Sequence, residues 1–117
     1  MKSRRADRLL VDDMIASLRR ISEYIEGIQR ETFLTDQKTI DAVVRNLEII
    51  GEAAARLSIE ARQRGPAIEW SQIIGLRNRI VHEYFGVDTE IVWEIGRHDL
   101  PVLGESLRRL LDDLPPI

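Results

Sequence analysis

From Asp7 to about Gln29 the apolar residues Leu10, Val11, Met14, Ile15, Leu18, Ile21, Ile25 and Ile28 fall three or four positions apart, with charged residues between them. A helix advances about 100° per residue, so this spacing gathers the apolar positions on one face and predicts a long amphipathic helix. Gly27 would loosen its last turn. A second helix is predicted after Thr35 or Asp36, either of which can cap it, with Ile40, Val43, Val44, Leu47, Ile50, Ala54 and Leu57 as its buried stripe. Gly51, Ala53, Ala54 and Ala55 lie on that helix. Glycine costs about 1 kcal/mol against alanine in a helix interior, so the close approach of a neighbouring backbone is the expected compensation.

The polar stretch 62–69, with Gly65 and Pro66, is expected to be a mobile connector. A third helix should open at Trp70 or Ser71 and run through Ile73, Ile74, Leu76, Ile80 and Val81, with Gly86 as its C-terminal cap. Asp88 or Thr89 caps the next helix, which carries Ile91, Val92 and Ile95 and must kink or break at Pro101 before Leu103, Leu107, Leu110 and Leu111 continue. No useful stretch alternates with period two. The expected fold is therefore all-α, an antiparallel bundle of four main helices with the last one kinked or broken at Pro101, forming a single helical domain over 1–117.

Composition narrows the chemistry. The 117 residues contain no cysteine, which removes disulfides, thiolate catalysis and cysteine-based zinc sites together and fits a reducing compartment. Asp7, Asp12 and Asp13 interrupt any apolar signal-peptide core, and no apolar run is long enough to span a bilayer, so a soluble, cytoplasmic chain is expected. Seventeen basic against twenty acidic residues give a net charge of −3, which argues against a broad positive surface for nucleic acid. Any RNA contact should be local. All the basic residues except Lys2 and Lys38 are arginine, whose planar fork suits phosphate oxygens.

The segment Arg77-Asn78-Arg79-Ile80-Val81-His82-Glu83-Tyr84 gathers one of the two histidines, two arginines, an amide and a phenol. Histidine exchanges a proton near neutral pH and arginine holds a permanent charge, a combination that suits phosphodiester chemistry without a metal. His82 would take the proton of a ribose 2′-hydroxyl as general base while Arg77 steadies the charge building on the phosphorane oxygens. Asn78 would hold the imidazole or a phosphate oxygen, and Tyr84 would contact phosphate or stack on a base. On a straight helix Arg77 and His82 lie about 140° apart and cannot aim at one group. Either the helix loosens before His82, or a second copy of the chain completes a shared cleft across a two-fold axis; the second solution is favoured. Trp93, Ile95 and Phe85 would supply a self-complementary surface, with the core as the alternative place for Trp93. Plainer readings stand beside these. A lone histidine near a helix end is commonly a surface or capping residue, Arg79 with Glu83 is an ordinary i, i+4 pair, and Tyr84 and Phe85 suit a core or interface.

The segment also resembles the HepT-like family within the HEPN superfamily of small helical ribonucleases and nucleotide-binding domains. The family signature is an arginine, four to six residues, a histidine, any residue and a tyrosine, which Arg77, His82 and Tyr84 match with a four-residue gap. Asn46 to Ala54, Trp70 to Gly75, Phe85-Gly86-Val87-Asp88 and Ile91-Val92-Trp93 follow the family pattern in order. The resemblance implies a dimeric, metal-independent RNase acting as the toxin of a toxin–antitoxin pair. Its partner would be a nucleotidyltransferase antitoxin of the MntA type, which uses ATP to transfer AMP to the motif tyrosine. Arg77 and His82 would be the catalytic pair, Asn78 an auxiliary and Tyr84 the AMPylated residue, with no cofactor on the toxin itself. The competing class is a non-catalytic nucleotide- or substrate-binding partner subunit of a nucleotidyltransferase.

Overall fold

The computed structural model describes residues 4–82 and 86–116. The first helix, α1 (Arg4–Ile25), buries Val11, Met14, Ile15, Leu18, Ile21 and Ile25, the stripe its spacing predicts. The chain then turns at Gly27, whose φ of 72° is a left-handed conformation that other residues adopt at a cost. A short helix not expected from periodicity, α2 (Arg30–Leu34), drives Phe33 into the core.

The next helix, α3 (Gln37–Arg56), begins where expected. Asp36 is its cap, accepting the Thr39 N–H at 3.2 Å and the Thr39 hydroxyl at 2.6 Å. Helices α1 and α3 pack together through Val11, Met14, Leu18 and Ile21 on one side and Ile40, Val43, Leu47 and Ile50 on the other. Each such buried aliphatic side chain contributes about 1.5–3 kcal/mol against exposure. Gly51 fulfils its expected role. A Cβ there would sit 3.1 Å from the Ile73 carbonyl oxygen, so only a glycine leaves room for the backbone of the helix that carries Ile73.

The expected mobile connector contains structure. Ser58 caps α4 (Ile59–Gln63) by accepting the Ala61 N–H at 3.0 Å. The indole N–H of Trp70 then reaches back to the carbonyl oxygens of Arg62 and Gly65 at 3.0 and 3.1 Å, tying down the loop that separates them. Asp7 of α1 holds the same junction. Its carboxylate is only 7% exposed and accepts both the N–H and the hydroxyl of Ser58, at 3.0 and 2.7 Å.

The predicted third helix is divided. α5 (Trp70–Ile74) ends at Gly75, α6 (Leu76–Ile80) follows, and Val81–His82 pairs antiparallel with Gly86–Val87 as the two-residue strands β1 and β2. Gly86 is therefore in the returning strand, with φ of 74°, and is not a helix cap. The exit is fixed by the pairing of Val81 with Val87 and by the Asp88 N–H, which donates to the Ile80 carbonyl at 2.7 Å.

After α7 (Thr89–Glu94) the last helix widens into a π-helical turn over Ile95–Asp99 and resumes as α8 (Leu100–Asp113). The expected disturbance at Pro101 takes this form: the Leu100 N–H reaches the Ile95 carbonyl five residues back, and the widened turn relieves the clash that a proline ring makes with the carbonyl four residues before it. Leu107 and Leu110 return to the core. Arg8 donates to the carbonyl oxygens of Leu111 and Leu114 at 3.3 Å each, placing a cation at the negative end of α8. Among the described residues the architecture is all-α apart from the short ladder, and no helix is long and apolar enough to cross a membrane.

Candidate functional site

Leu76 and Ile80 are buried, and they orient the one-and-a-half turns of α6 against α3 and α7. The residues between them, Arg77, Asn78 and Arg79, consequently face solvent. Arg77 borders a groove of about 350 Å³ together with Leu47, Glu48, Gly51, Glu52 and Ile74. The close contact at Gly51 thus sets the floor beside the arginine. Arg79 points elsewhere: its guanidinium lies 3.7 Å from Asp99 in the π-helical turn. Its expected partner Glu83 lies outside the described residues, as do Tyr84 and Phe85.

His82 leaves the helix altogether. Because α6 ends at Ile80, the 140° that separates Arg77 from His82 on a straight helix does not apply, and the first of the two solutions, a helix that loosens before the histidine, is present within one chain. Three contacts hold the imidazole's surroundings. The ladder pairs His82 with Gly86, the Asp88 N–H donates to the Ile80 carbonyl at 2.7 Å, and Asp88 Oδ2 lies 3.5 Å from His82 Nε2. The His82 side chain remains half exposed. Asp88 is the residue that sequence reasoning assigned only to a helix cap. It does cap α7, accepting the Ile91 N–H at 3.1 Å with Oδ1, while its second oxygen is left for the histidine. The available signal was Gly86 between His82 and Asp88, since a glycine is a common point of chain reversal, and a reversal there brings its flanks together.

Among the described residues no hydrogen bond or ion pair joins Arg77 to His82, and none fixes Asn78. The chain therefore offers two solvent-facing functional groups on separate supports, a guanidinium on a helix braced by α3 and an imidazole on a ladder braced by α7. The surface expected for a second copy changes in composition. Trp93 is 6% exposed and packs on Phe33 with ring centroids 5.2 Å apart, and Ile95 is buried, so both belong to the core.

Comparison with known proteins matches the sequence to one family. The model of the ribonuclease HepT-like family matches residues 14–110, which contain both supports of the site. A protein of Thermococcus cleftensis named "Probable ribonuclease HepT" is 34% identical over 107 residues, 92% of this chain and 97% of the relative. A protein of Caldanaerobacter subterraneus named as a candidate RNase is 39% identical over 89 residues, covering 76% of this chain and 80% of the relative. A Methanocaldococcus jannaschii protein, named as a gamma-glutamylcyclotransferase and candidate RNase, is 32% identical over 107 residues; the chain covers 92% of itself but spans about half, 48%, of that longer relative. No solved structure matches. The family model covers well over half of the sequence, and the chain belongs to the ribonuclease HepT-like family.

Proposed function

We propose that this chain is a metal-independent endoribonuclease that cleaves RNA through its own 2′-hydroxyl. The observation that carries the reading is the solvent exposure of both Arg77 and His82 in a member of the ribonuclease HepT-like family. The names of the relatives support RNA as the substrate class. His82 removes the 2′-hydroxyl proton, the 2′-oxygen bonds to phosphorus, and the bond from phosphorus to the 5′-oxygen breaks as that oxygen takes a proton from solvent. Arg77 stabilises the extra negative charge on the non-bridging oxygens, and Asn78, adjacent on the same exposed face, positions the strand. DNA lacks the attacking group and is not cut.

Because Arg77 and His82 stand on separate supports, a second copy of the chain related by a two-fold axis would supply complementary groups along one RNA backbone. The finer reading extends to regulation in a cytoplasmic toxin–antitoxin pair. A nucleotidyltransferase antitoxin of the MntA type joins the phenolic oxygen of Tyr84 to the α-phosphorus of ATP, with pyrophosphate leaving. The added phosphate and nucleoside, two residues from His82, then exclude RNA. The support for this part is the match of Arg77, His82 and Tyr84 to the family motif.

The test is cleavage of a single-stranded RNA by the purified chain in the presence of a chelator. Wild type should release fragments ending in a 2′,3′-cyclic phosphate, and His82→Ala and Arg77→Ala should each lose about 100-fold or more in rate. An intact RNA after incubation with wild type whose mass shows no adduct would favour the alternative, a non-catalytic partner subunit of a nucleotidyltransferase.

A further inference from the structure

The carboxylate of Asp88 serves two elements with two different oxygens. Oδ1 accepts the Ile91 N–H at 3.1 Å and starts α7, whereas Oδ2 stands 3.5 Å from Nε2 of His82. Its backbone is fixed as well, since the Asp88 N–H donates to the Ile80 carbonyl at 2.7 Å on the other side of the ladder. The carboxylate cannot turn from the imidazole without giving up the cap. The neighbouring carboxylate, Glu90, is engaged by Arg30 of α2 at 3.4 Å.

This arrangement has a consequence for the position of a proton. A neutral imidazole bears one N–H, on either nitrogen, and a carboxylate can only accept. An acceptor facing Nε2 keeps the proton there and leaves the lone pair on Nδ1. We propose that Asp88 is a positioning residue that holds His82 in the Nε2–H tautomer, so that Nδ1 is the atom that takes the 2′-hydroxyl proton of RNA. The assignment rests on the nuclease reading above for its catalytic half and on the Asp88 geometry for the other. In the reaction the 2′-hydroxyl proton moves to Nδ1, the 2′-oxygen bonds to phosphorus, and the 5′-oxygen departs with a proton from solvent. The resulting imidazolium, with an N–H on each nitrogen, is held against Asp88 until Nδ1 returns its proton to water. At 3.5 Å the two groups stand just beyond ordinary hydrogen-bond length, and a charged ring would draw the carboxylate in, because hydrogen bonds between ionised groups are the shorter ones.

Asp88→Asn separates this role from the cap. Asparagine caps a helix as well as aspartate does, so its single carbonyl oxygen is retained by the Ile91 N–H. The amide nitrogen, a donor, then faces Nε2, which must present a lone pair, and the proton moves to Nδ1. The base is lost while the fold is kept. A comparable exchange of carboxylate for amide beside a catalytic histidine costs about 10⁴-fold through the wrong tautomer. With ¹⁵N-histidine label, two-bond proton–nitrogen spectra in alkaline buffer distinguish the tautomers, and His98→Gln assigns the signals. Wild type should show Nε2–H and Asp88→Asn should show Nδ1–H, with kcat reduced at least about 100-fold and KM changed by less than about threefold. Asp88→Ser, which also caps but presents no group at that position, should relax the ring to its intrinsic mixture, with a smaller excess of Nε2–H than wild type, and should lose part of the rate.

An Nδ1–H tautomer in wild type, or the same tautomer in wild type and both variants, overturns the proposal. So does full activity in Asp88→Asn, which would leave the nuclease reading standing. Wild type that holds Nε2–H but leaves RNA uncut overturns the nuclease reading and the role of Nδ1 as base, and a switch to Nδ1–H in Asp88→Asn then still supports the orienting role of Asp88.

Discussion

Replacing Asp7 with alanine should destabilise the protein by about 3 kcal/mol, although Asp7 is far from the motif in sequence. Its carboxylate receives two hydrogen bonds from Ser58 across 51 residues, at 3.0 and 2.7 Å, and is 7% exposed. A hydrogen bond to a charged group is worth about 1.5–3 kcal/mol, and two that share one desolvated carboxylate sum to less than twice that. The substitution also strands the Ser58 N–H, and the hydroxyl that caps α4 loses the acceptor that orients it. For a chain of this length about 1 kcal/mol corresponds to roughly 4 °C, so the melting temperature should fall by about 12 °C. Urea unfolding should show a lower midpoint at an unchanged slope. Asp7→Asn, which keeps one acceptor, should lose about half as much. In a double-mutant cycle with Ser58→Ala the coupling should exceed about 1 kcal/mol. A loss below about 0.5 kcal/mol for Asp7→Ala, or strict additivity with Ser58→Ala, would refute the view that this carboxylate pins α1 to the α3–α4 junction.

Two further predictions follow from the packing and the caps. Gly51→Ala gains about 1 kcal/mol of helix propensity but places a methyl group 3.1 Å from the Ile73 carbonyl, where overpacking costs about 1–3 kcal/mol; a net loss of about 1 kcal/mol in urea is expected, with a larger fall in RNA cleavage because Arg77 shifts with the displaced helix, and a stabilised variant would contradict the close-approach account. The hydroxyl and then the backbone N–H of Thr39 hold the Asp36 carboxyl below its ordinary value of 3.8. Its folded pKa is depressed, so the stability it confers is complete above 3.8 and is lost as pH falls through the lower folded value. Circular dichroism at fixed urea should therefore show wild type losing its advantage over Asp36→Asn in that acid window, and a pH-independent difference would count against the assignment.

The long helices α1 and α3 were legible because each carries its apolar residues at one uninterrupted period, and the caps were legible to within one residue, Thr35 or Asp36 and Asp88 or Thr89, because each pair precedes such a run. The division of the third helix was not legible. Ile73, Leu76 and Ile80 are spaced like one helical stripe and are buried like one, but the chain leaves the helix at Val81 because strand pairing with Val87 and the bond between Asp88 and Ile80 capture its backbone. These partners are five residues or more away, beyond the reach of a periodic reading. Arg77 and His82 were recognisable from residue type, whereas Asp88 beside His82 was not, since a cap and an imidazole partner look the same in sequence. The contact between Asp7 and Ser58 is silent for the same reason on a longer scale.

The widened turn ahead of Pro101 sets the register of this end of the molecule. Ile95 and Leu100 are both buried yet stand five apart, a separation that on a regular helix would point them about 140° away from each other. The turn absorbs one surplus residue and thereby keeps Leu107 and Leu110 in phase with the stripe that precedes it. Arg97, His98 and Asp99 are the exposed residues of that turn. Asp99, which meets Arg79 of the motif helix, thus sits in the turn that couples the motif to the register of the last helix.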